Sequence, residues 1–287
     1  MNNSQNAAFA FVKTLGQELS HQEFDIPPFP DIAIKIRDAM SNPDYSIEKI
    51  ARIIVADPVL TTRLIRMANS ALLRRGTIEI TDVKTALGRI GMEIVRNTVV
   101  STALDTTFKA PAGTILHDRI DAVRKHSSHV AALAYILARR LPGFKQAEDA
   151  MLAGLLHDIG KFYILNRVQD FPGLFEDPQQ LDDLLASWHT GVGKAIVDSW
   201  GFPESIAQAV DEHEDLERTH HASPDLVDIV LVANLIDNIK HLPADAAPDL
   251  AAIPACQRMG ISHESLRKIL EESTEEISNM EQALGGR

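Results

Sequence analysis

The stretch Met151-Leu152-Ala153-Gly154-Leu155-Leu156-His157-Asp158-Ile159-Gly160-Lys161 constrains this chain more than any other. An uncharged apolar run leads directly into an imidazole and a carboxylate, followed by a glycine and a lysine. A run this apolar is buried on folding, and it carries the His-Asp pair in with it. Burying ionisable groups is costly unless something compensates them, and a bound metal ion is a common compensator. His157 offers a nitrogen ligand and Asp158 a hard oxygen. Adjacent helical side chains diverge by about 100°, so the pair meets one ion, or two neighbouring ions, at a helix end. Two protein ligands do not make a stable site, so other helices have to supply the rest.

Those helices are legible in the periodicity. Residues 4–21 place Ala8, Phe11, Leu15 and Leu19 at helical spacing, and Asp25-Ile26-Pro27-Pro28-Phe29-Pro30 breaks the pattern. Short helices are expected at 31–41, after Ser46, after Asp57-Pro58, from Thr81 and over 92–108. A long one follows at 115–140, then the His-Asp helix at 147–159 and another at 161–168. Phe171-Pro172-Gly173 and Asp177-Pro178 mark a loop, and Thr190 reads as a cap dividing 179–189 from 191–200. Helices at 203–213, from Ser223-Pro224 to about 240, and at 262–283 complete the chain, with 242–256 mostly loop. No segment alternates long enough for a strand; Thr77-Ile78-Glu79-Ile80 comes nearest. Aromatic residues make up only 5% while Ala, Leu and Ile abound, which favours close helix packing. The expected fold is all-α with two helical subdomains. The segments are an N-terminal helix and linker at 1–25, a five-helix unit at 26–110, a second bundle at 111–241 and a C-terminal loop and helix at 242–287.

Charge and cysteine content narrow the function. A net charge of −12 argues against a general nucleic-acid or anionic-membrane binder. One segment runs the other way. Between residues 60 and 100, Arg63, Arg66, Arg74, Arg75, Lys84, Arg89 and Arg96 face only Glu79, Asp82 and Glu93. Either these are solvated helix faces or they dock an acidic partner. Cys256 is the only cysteine, so neither an intrachain disulfide nor a cysteine zinc cluster can form. Met1-Asn2-Asn3-Ser4 does not resemble a signal peptide, and apolar runs such as Ile229 to Ala233 are far too short to span a membrane. A cytoplasmic location is expected; the oligomeric state is open.

The other ligands have to be sought among the histidines. His126 and His129 lie one turn apart on the long helix, His189 precedes the supposed cap, and His213 ends a helix burying Ile206, Ala209 and Val210. His117, His220, His221, His241 and His263 sit in polar contexts. Any one of these could equally be a surface or packed histidine.

The ordered set resembles the HD superfamily of metal-dependent phosphohydrolases, and within it the HDOD branch, a bacterial signalling-output domain. The residues that carry the likeness are Ile26-Pro27-Pro28-Phe29-Pro30, Asp57-Pro58-Val59-Leu60 with Arg63-Leu64 and Ala68-Asn69-Ser70, Ala86-Leu87-Gly88-Arg89-Ile90-Gly91, His126-Ser127, Gly154 to Lys161, His189-Thr190-Gly191-Val192-Gly193 and Trp200-Gly201-Phe202-Pro203. They span about residues 26–240. The resemblance implies that His126, His157 and Asp158 ligate a divalent cation (Fe, Ni, Zn, Mn or Mg). His189 and His213 then hold a second ion or a substrate phosphate. The family's fourth ligand is an aspartate after an alanine; here the pair is Ala233-Asn234, an uncharged amide, with Asp237 one turn on. No Gly-Tyr-Pro follows His213.

Two functions follow from the resemblance. One is a regulatory module with a weakened metal site that binds a small phosphate-containing ligand or a signalling protein without turnover. The other is an active phosphohydrolase on a nucleotide or cyclic dinucleotide, with Asp158 and Lys161 catalytic. For Lys161 there is a plainer reading, a lysine at the C-terminal end of a helix, where the dipole favours it. The five-helix unit brings Arg63, Arg66, Arg74 and Arg75 as an expected partner surface, and the input signal is expected from another protein or a ligand.

Overall fold

The computed structural model describes residues 3–21, 28–41, 46–70, 73, 78–220, 223–240 and 248–285. All regular structure among them is helical. None of these helices is long and apolar enough to cross a membrane.

The chain begins with α1 (Asn3–His21) and α2 (Asp31–Ser41). After α3 (Ile47–Val55), Asp57 caps α4 (Pro58–Ala68) by accepting from the Val59 and Leu60 amides, with Pro58 at the first position, where a missing N–H costs nothing. Asn69 follows α4 and reaches across to Ile80, donating to its carbonyl at 2.8 Å and accepting from its amide at 2.9 Å. One side chain thus does locally what a strand partner would do for the β-like Ile78-Glu79-Ile80. Asp82 caps α5 (Val83–Ile90), and Gly91, at φ 81°, turns the chain into α6 (Met92–Thr107). Gly76, Thr77, Arg74, Arg75 and the Ile26-Pro27 step lie outside the described residues.

The second half starts with α7 (Ile115–Arg140), capped by Thr114, then α8 (Ala147–Leu156) and α9 (Ile159–Arg167). The expected helix over 147–159 stops at Leu156: His157 caps the end of α8 and Asp158 the start of α9. Two other expectations are corrected. Asp177-Pro178 is not loop; Asp177 accepts from the Gln180 amide and begins α10 (Pro178–Ser199). Thr190 caps nothing, because α10 runs straight through it. Leu181, Leu184, Leu185, Val192, Ile196 and Val197 are buried on both sides of the break, and that continuous stripe outweighs the weak helix propensity of Thr190-Gly191. The remaining helices are α11 (Glu204–Glu212), α12 (Leu226–Ile239), α13 (Pro254–Met259) and α14 (His263–Ala283). α12 is started by the capping box of Asp225 and Asp228 rather than by Ser223-Pro224.

The apolar core is continuous across residue 110. Phe108 at the end of α6 packs on Phe162 of α9 with ring centroids 5.6 Å apart, and Phe29 packs on Trp200 and Phe202. Asp105 on α6 takes Arg63 from α4 and Arg124 from α7, so one carboxylate fastens three helices. All three side chains are more than four-fifths buried. Replacing Asp105 by Asn should leave two guanidiniums short of a counter-charge and lower unfolding stability by about 2 kcal/mol. Urea denaturation measures this, and an unchanged midpoint would show the pairs contribute nothing.

Candidate metal centre

Two close helix contacts set the centre up. A Cβ on Gly154 would stand 2.9 Å from the Cα of Ala131, so α8 lies against the bare backbone of α7. That brings His157 opposite His126, with their Nε2 atoms 3.1 Å apart. A Cβ on Gly160 would stand 2.0 Å from the His189 carbonyl oxygen, so α9 lies equally close to α10. That brings Asp158 to His189, whose ring is wholly buried in the middle of the continuous α10 and not before a cap. His213, at the C-terminal end of α11, closes the group with its Nε2 3.3 Å from that of His189.

The backbone fixes the tautomers. Nδ1 of His157 lies 2.7 Å from the Gly154 carbonyl, that of His189 2.8 Å from Leu185 and that of His213 2.8 Å from Val210. A carbonyl only accepts, so each Nδ1 carries the proton, and the Nε2 of the neutral ring is a lone pair. His126 is set in the same way by the Asp237 carboxylate, 2.6 Å from its Nδ1. In that tautomer the four Nε2 atoms point inward as two facing pairs, the ligand atoms a cation would take.

Asp158 lies between the pairs. Its Oδ2 is 3.5 Å from His126 Nε2 and 3.4 Å from His157 Nε2. Its Oδ1 is 3.5 Å from His189 Nε2 and 3.7 Å from His213 Nε2. Lys161 donates to Oδ2 at 2.9 Å, but Oδ1 is buried and accepts no hydrogen bond. Burial drives the His157 imidazole down to about 4 despite the attraction of Asp158, so the ring is neutral near pH 7. Burial works to raise the Asp158 carboxyl, but attraction to the His157 ring, which is charged only at the low pH where the carboxyl itself titrates, and to the Lys161 ammonium holds it well below its usual range. An ionised carboxylate oxygen without a donor is an expensive thing to bury. The residues fit a cation: His126, His157 and Asp158 bring ligand atoms within 4.8 Å of one another, as do Asp158, His189 and His213. Imidazole with carboxylate suits Fe, Ni, Zn or Mn better than Mg.

The other expected residues are placed differently. Asn234 on α12 is buried, and its amide oxygen accepts from Asn238 at 3.2 Å. Asp237 is turned to the outer nitrogen of His126 and to Lys240, and so orients a ligand from behind. Burial raises the Asp237 carboxyl, and the bonds from His126 and Lys240 more than reverse this, to about 2. Lys161 is in the first turn of α9, the end where a helix dipole disfavours a cation; Asp158 holds it there, and the C-terminal reading fails. The sequence reading assigned no role to Glu214, whose Oε1 is 3.4 Å from His189 Nε2 and 3.9 Å from His213 Nε2. Its one signal is adjacency to His213. A third cluster, His220 with Asp225 and Asp228, is already neutralised: Asp228 takes Arg258 and Arg218 together. His221 and His241 lie outside the described residues.

Comparison with known proteins identifies the family and the fold. The HDOD domain matches residues 26–216. A protein of Shewanella amazonensis SB2B, provisionally named a metal-dependent phosphohydrolase, superposes with a TM-score of 0.80 at 23% identity, covering 99% of this chain and 100% of that one. An HDOD domain protein of unknown function from Geobacter sulfurreducens gives 0.65 at 24% identity over 94% and 96% of the two chains. At these identities the likeness is one of fold. An uncharacterised protein of Treponema pallidum (strain Nichols) is 23% identical over 223 residues, 74% of this chain but only 42% of that relative. The chain thus spans under half of that relative's length.

Two outcomes follow from the geometry. In metal-free protein, His157 stays neutral in the fold where the unfolded chain would protonate it. Its contribution is whole above about pH 6.5 and is lost as pH falls towards about 4. Unfolding midpoints measured across that window should decline, and His157→Asn should flatten the decline. Gly160→Ala has to push α9 from α10, lowering stability by about 2 kcal/mol; wild-type stability in that variant would contradict the contact.

Proposed function

The chain belongs to the HDOD domain family, and from that premise we propose that it is a signalling-output module whose His-Asp centre holds a divalent cation without efficient phosphoester turnover. One observation carries the cation: Asp158 Oδ1, buried and without a donor, between two imidazole pairs whose Nε2 atoms face each other. His126, His157 and Asp158 would hold one ion, and Asp158, His189 and His213, with Glu214 beside them, could hold a second. A divalent cation in such a place supplies Lewis-acid polarisation of a phosphoryl oxygen.

What the chain's own residues do argues for binding over turnover. The family's fourth acidic ligand is replaced by Asn234, whose amide brings no charge and is shared with Asn238. Asp237, the nearest substitute, is committed to His126 Nδ1 and Lys240. Lys161 is drawn onto Asp158. The first two weaken the hold on a divalent cation, and the third withdraws a positive charge from a transferring phosphoryl group. A solved relative from Marinobacter aquaeolei VT8 is provisionally named a signal transduction protein, and one from Shewanella a metal-dependent phosphohydrolase. The names span both readings. An active phosphohydrolase is the second reading, favoured by the two ligand groups sharing Asp158.

Protein purified without chelator should carry stoichiometric iron, nickel, zinc or manganese, and Asp158→Asn should lose it. The wild type should not hydrolyse bis-p-nitrophenyl phosphate or cyclic dinucleotides with Mg, Mn, Fe or Ni. Robust hydrolysis abolished by Asp158→Ala would install the second reading, and metal-free protein would remove the cation from the first.

A further inference from the structure

Away from the His-Asp centre, a cavity of ≈ 590 Å³ opens between α5 and α6 on one side and the α7–α8 turn on the other. Its size falls within the range of small-molecule sites, about 300–1,000 Å³. Its charged lining is Arg89, Arg139 and Lys145 against the single carboxylate of Glu148, within a chain whose net charge is −12. The cations come from three separate segments: the last turn of α5, the last turn of α7 and the connector before α8.

Arg89 is the telling residue. Its Nη1 is buried and has no hydrogen-bond partner. A guanidinium nitrogen withdrawn from water without an acceptor is destabilising by itself. Other basic residues of the same segment have found partners: Arg63 pairs with Asp105, Lys84 with Glu48 and Arg96 with Asp149. Arg139 lies over the ring of Tyr135, 5.7 Å from its centroid, and both residues line the cavity. Ile90, Ile94 and Phe144 complete an apolar side. The first turn of α8 borders the cavity too, and its N-cap residue Gln146 makes no side-chain capping bond.

We propose that this cavity binds a small phosphorylated molecule, with its phosphate on Arg89, Arg139 and Lys145 and its body against the Ile94–Phe144 side. Three cations facing one carboxylate match a doubly charged group better than a single carboxylate. Guanidinium forks fit phosphate oxygens bidentately. Arg89 Nη1 is closed to solvent, so the phosphate would supply its missing acceptor only as the Arg89 side chain swings into the cavity. Because the walls belong to helices from both sides of residue 110, occupancy would tighten the packing between them. The site is separate from the His-Asp centre and its occupancy needs no metal there.

The test uses the full chain and three probes: inorganic phosphate, pyrophosphate and AMP. Isothermal titration should show saturable binding of at least one probe, with a concentration-dependent rise in Tm that sodium sulfate at matched ionic strength does not reproduce. Arg89→Met keeps the aliphatic stem and removes the unsatisfied donor, so the ligand-free variant should be at least as stable as wild type. It should weaken binding about tenfold or more. Lys145→Gln, on the exposed connector, should weaken it too, and Asp158→Asn should leave it unchanged. Three results would each overturn the proposal: no saturable binding of any probe, undiminished binding in both Arg89→Met and Lys145→Gln, or binding lost only in Asp158→Asn. The last would place the phosphate at the His-Asp centre instead.

Discussion

A single buried carboxylate organises the centre of this protein. Asp158 stands between two pairs of imidazoles whose protonated nitrogens are all turned outward, to Gly154, Leu185, Val210 and Asp237. The backbone carbonyls and one acidic side chain thereby decide what the core can hold. They leave four Nε2 atoms and a carboxylate oxygen facing inward, the donors a cation takes. The fold carries the cost of assembling it in the surrounding apolar packing, where Met151, Leu152, Leu156 and Ile159 are fully buried around the pair.

A comparison within the molecule shows why this cluster differs from the other. His220, Asp225 and Asp228 also bring ligand atoms together, but two guanidiniums reach Asp228, and Arg218 pairs with Asp225 as well. Those carboxylates already have their counter-charge and their hydrogen bonds. At Asp158 the one ammonium in reach, Lys161, satisfies only Oδ2. The same bookkeeping picks out Arg89 with the opposite sign: a buried donor lacking an acceptor, where Arg63 and Arg96 have theirs. Unsatisfied groups of either charge are rare in folded proteins, and a bound ligand is one reason for them to persist.

Helix positions and the ligand types were legible in the chain because they are local. Proline, aspartate caps and apolar spacing placed most helices within a residue or two. The exceptions were the His-Asp helix, which stops at Leu156, and Thr190 and Asp177-Pro178, where a buried stripe running the length of α10 overrode the local signals. His126, His157, Asp158, His189 and His213 stood out because a metal needs such donors. Glu214 did not, because a glutamate beside a histidine is unremarkable until the fold turns both towards His189.

By itself, then, the sequence determined an all-helical chain and marked the candidate donors, and its resemblance to the family marked Asn234 where an acid is expected. Only the tertiary structure decided how those donors are used. Helix contacts at Gly154 and Gly160, too close for any side chain, set which groups meet. The direction of each imidazole followed from which backbone carbonyl lay behind it. Asp237 became a support to His126, and Lys161 a partner of Asp158. The physical reason is range. Periodicity and capping act within a few turns of one helix, whereas a metal centre depends on distances between helices far apart in sequence, which packing alone fixes.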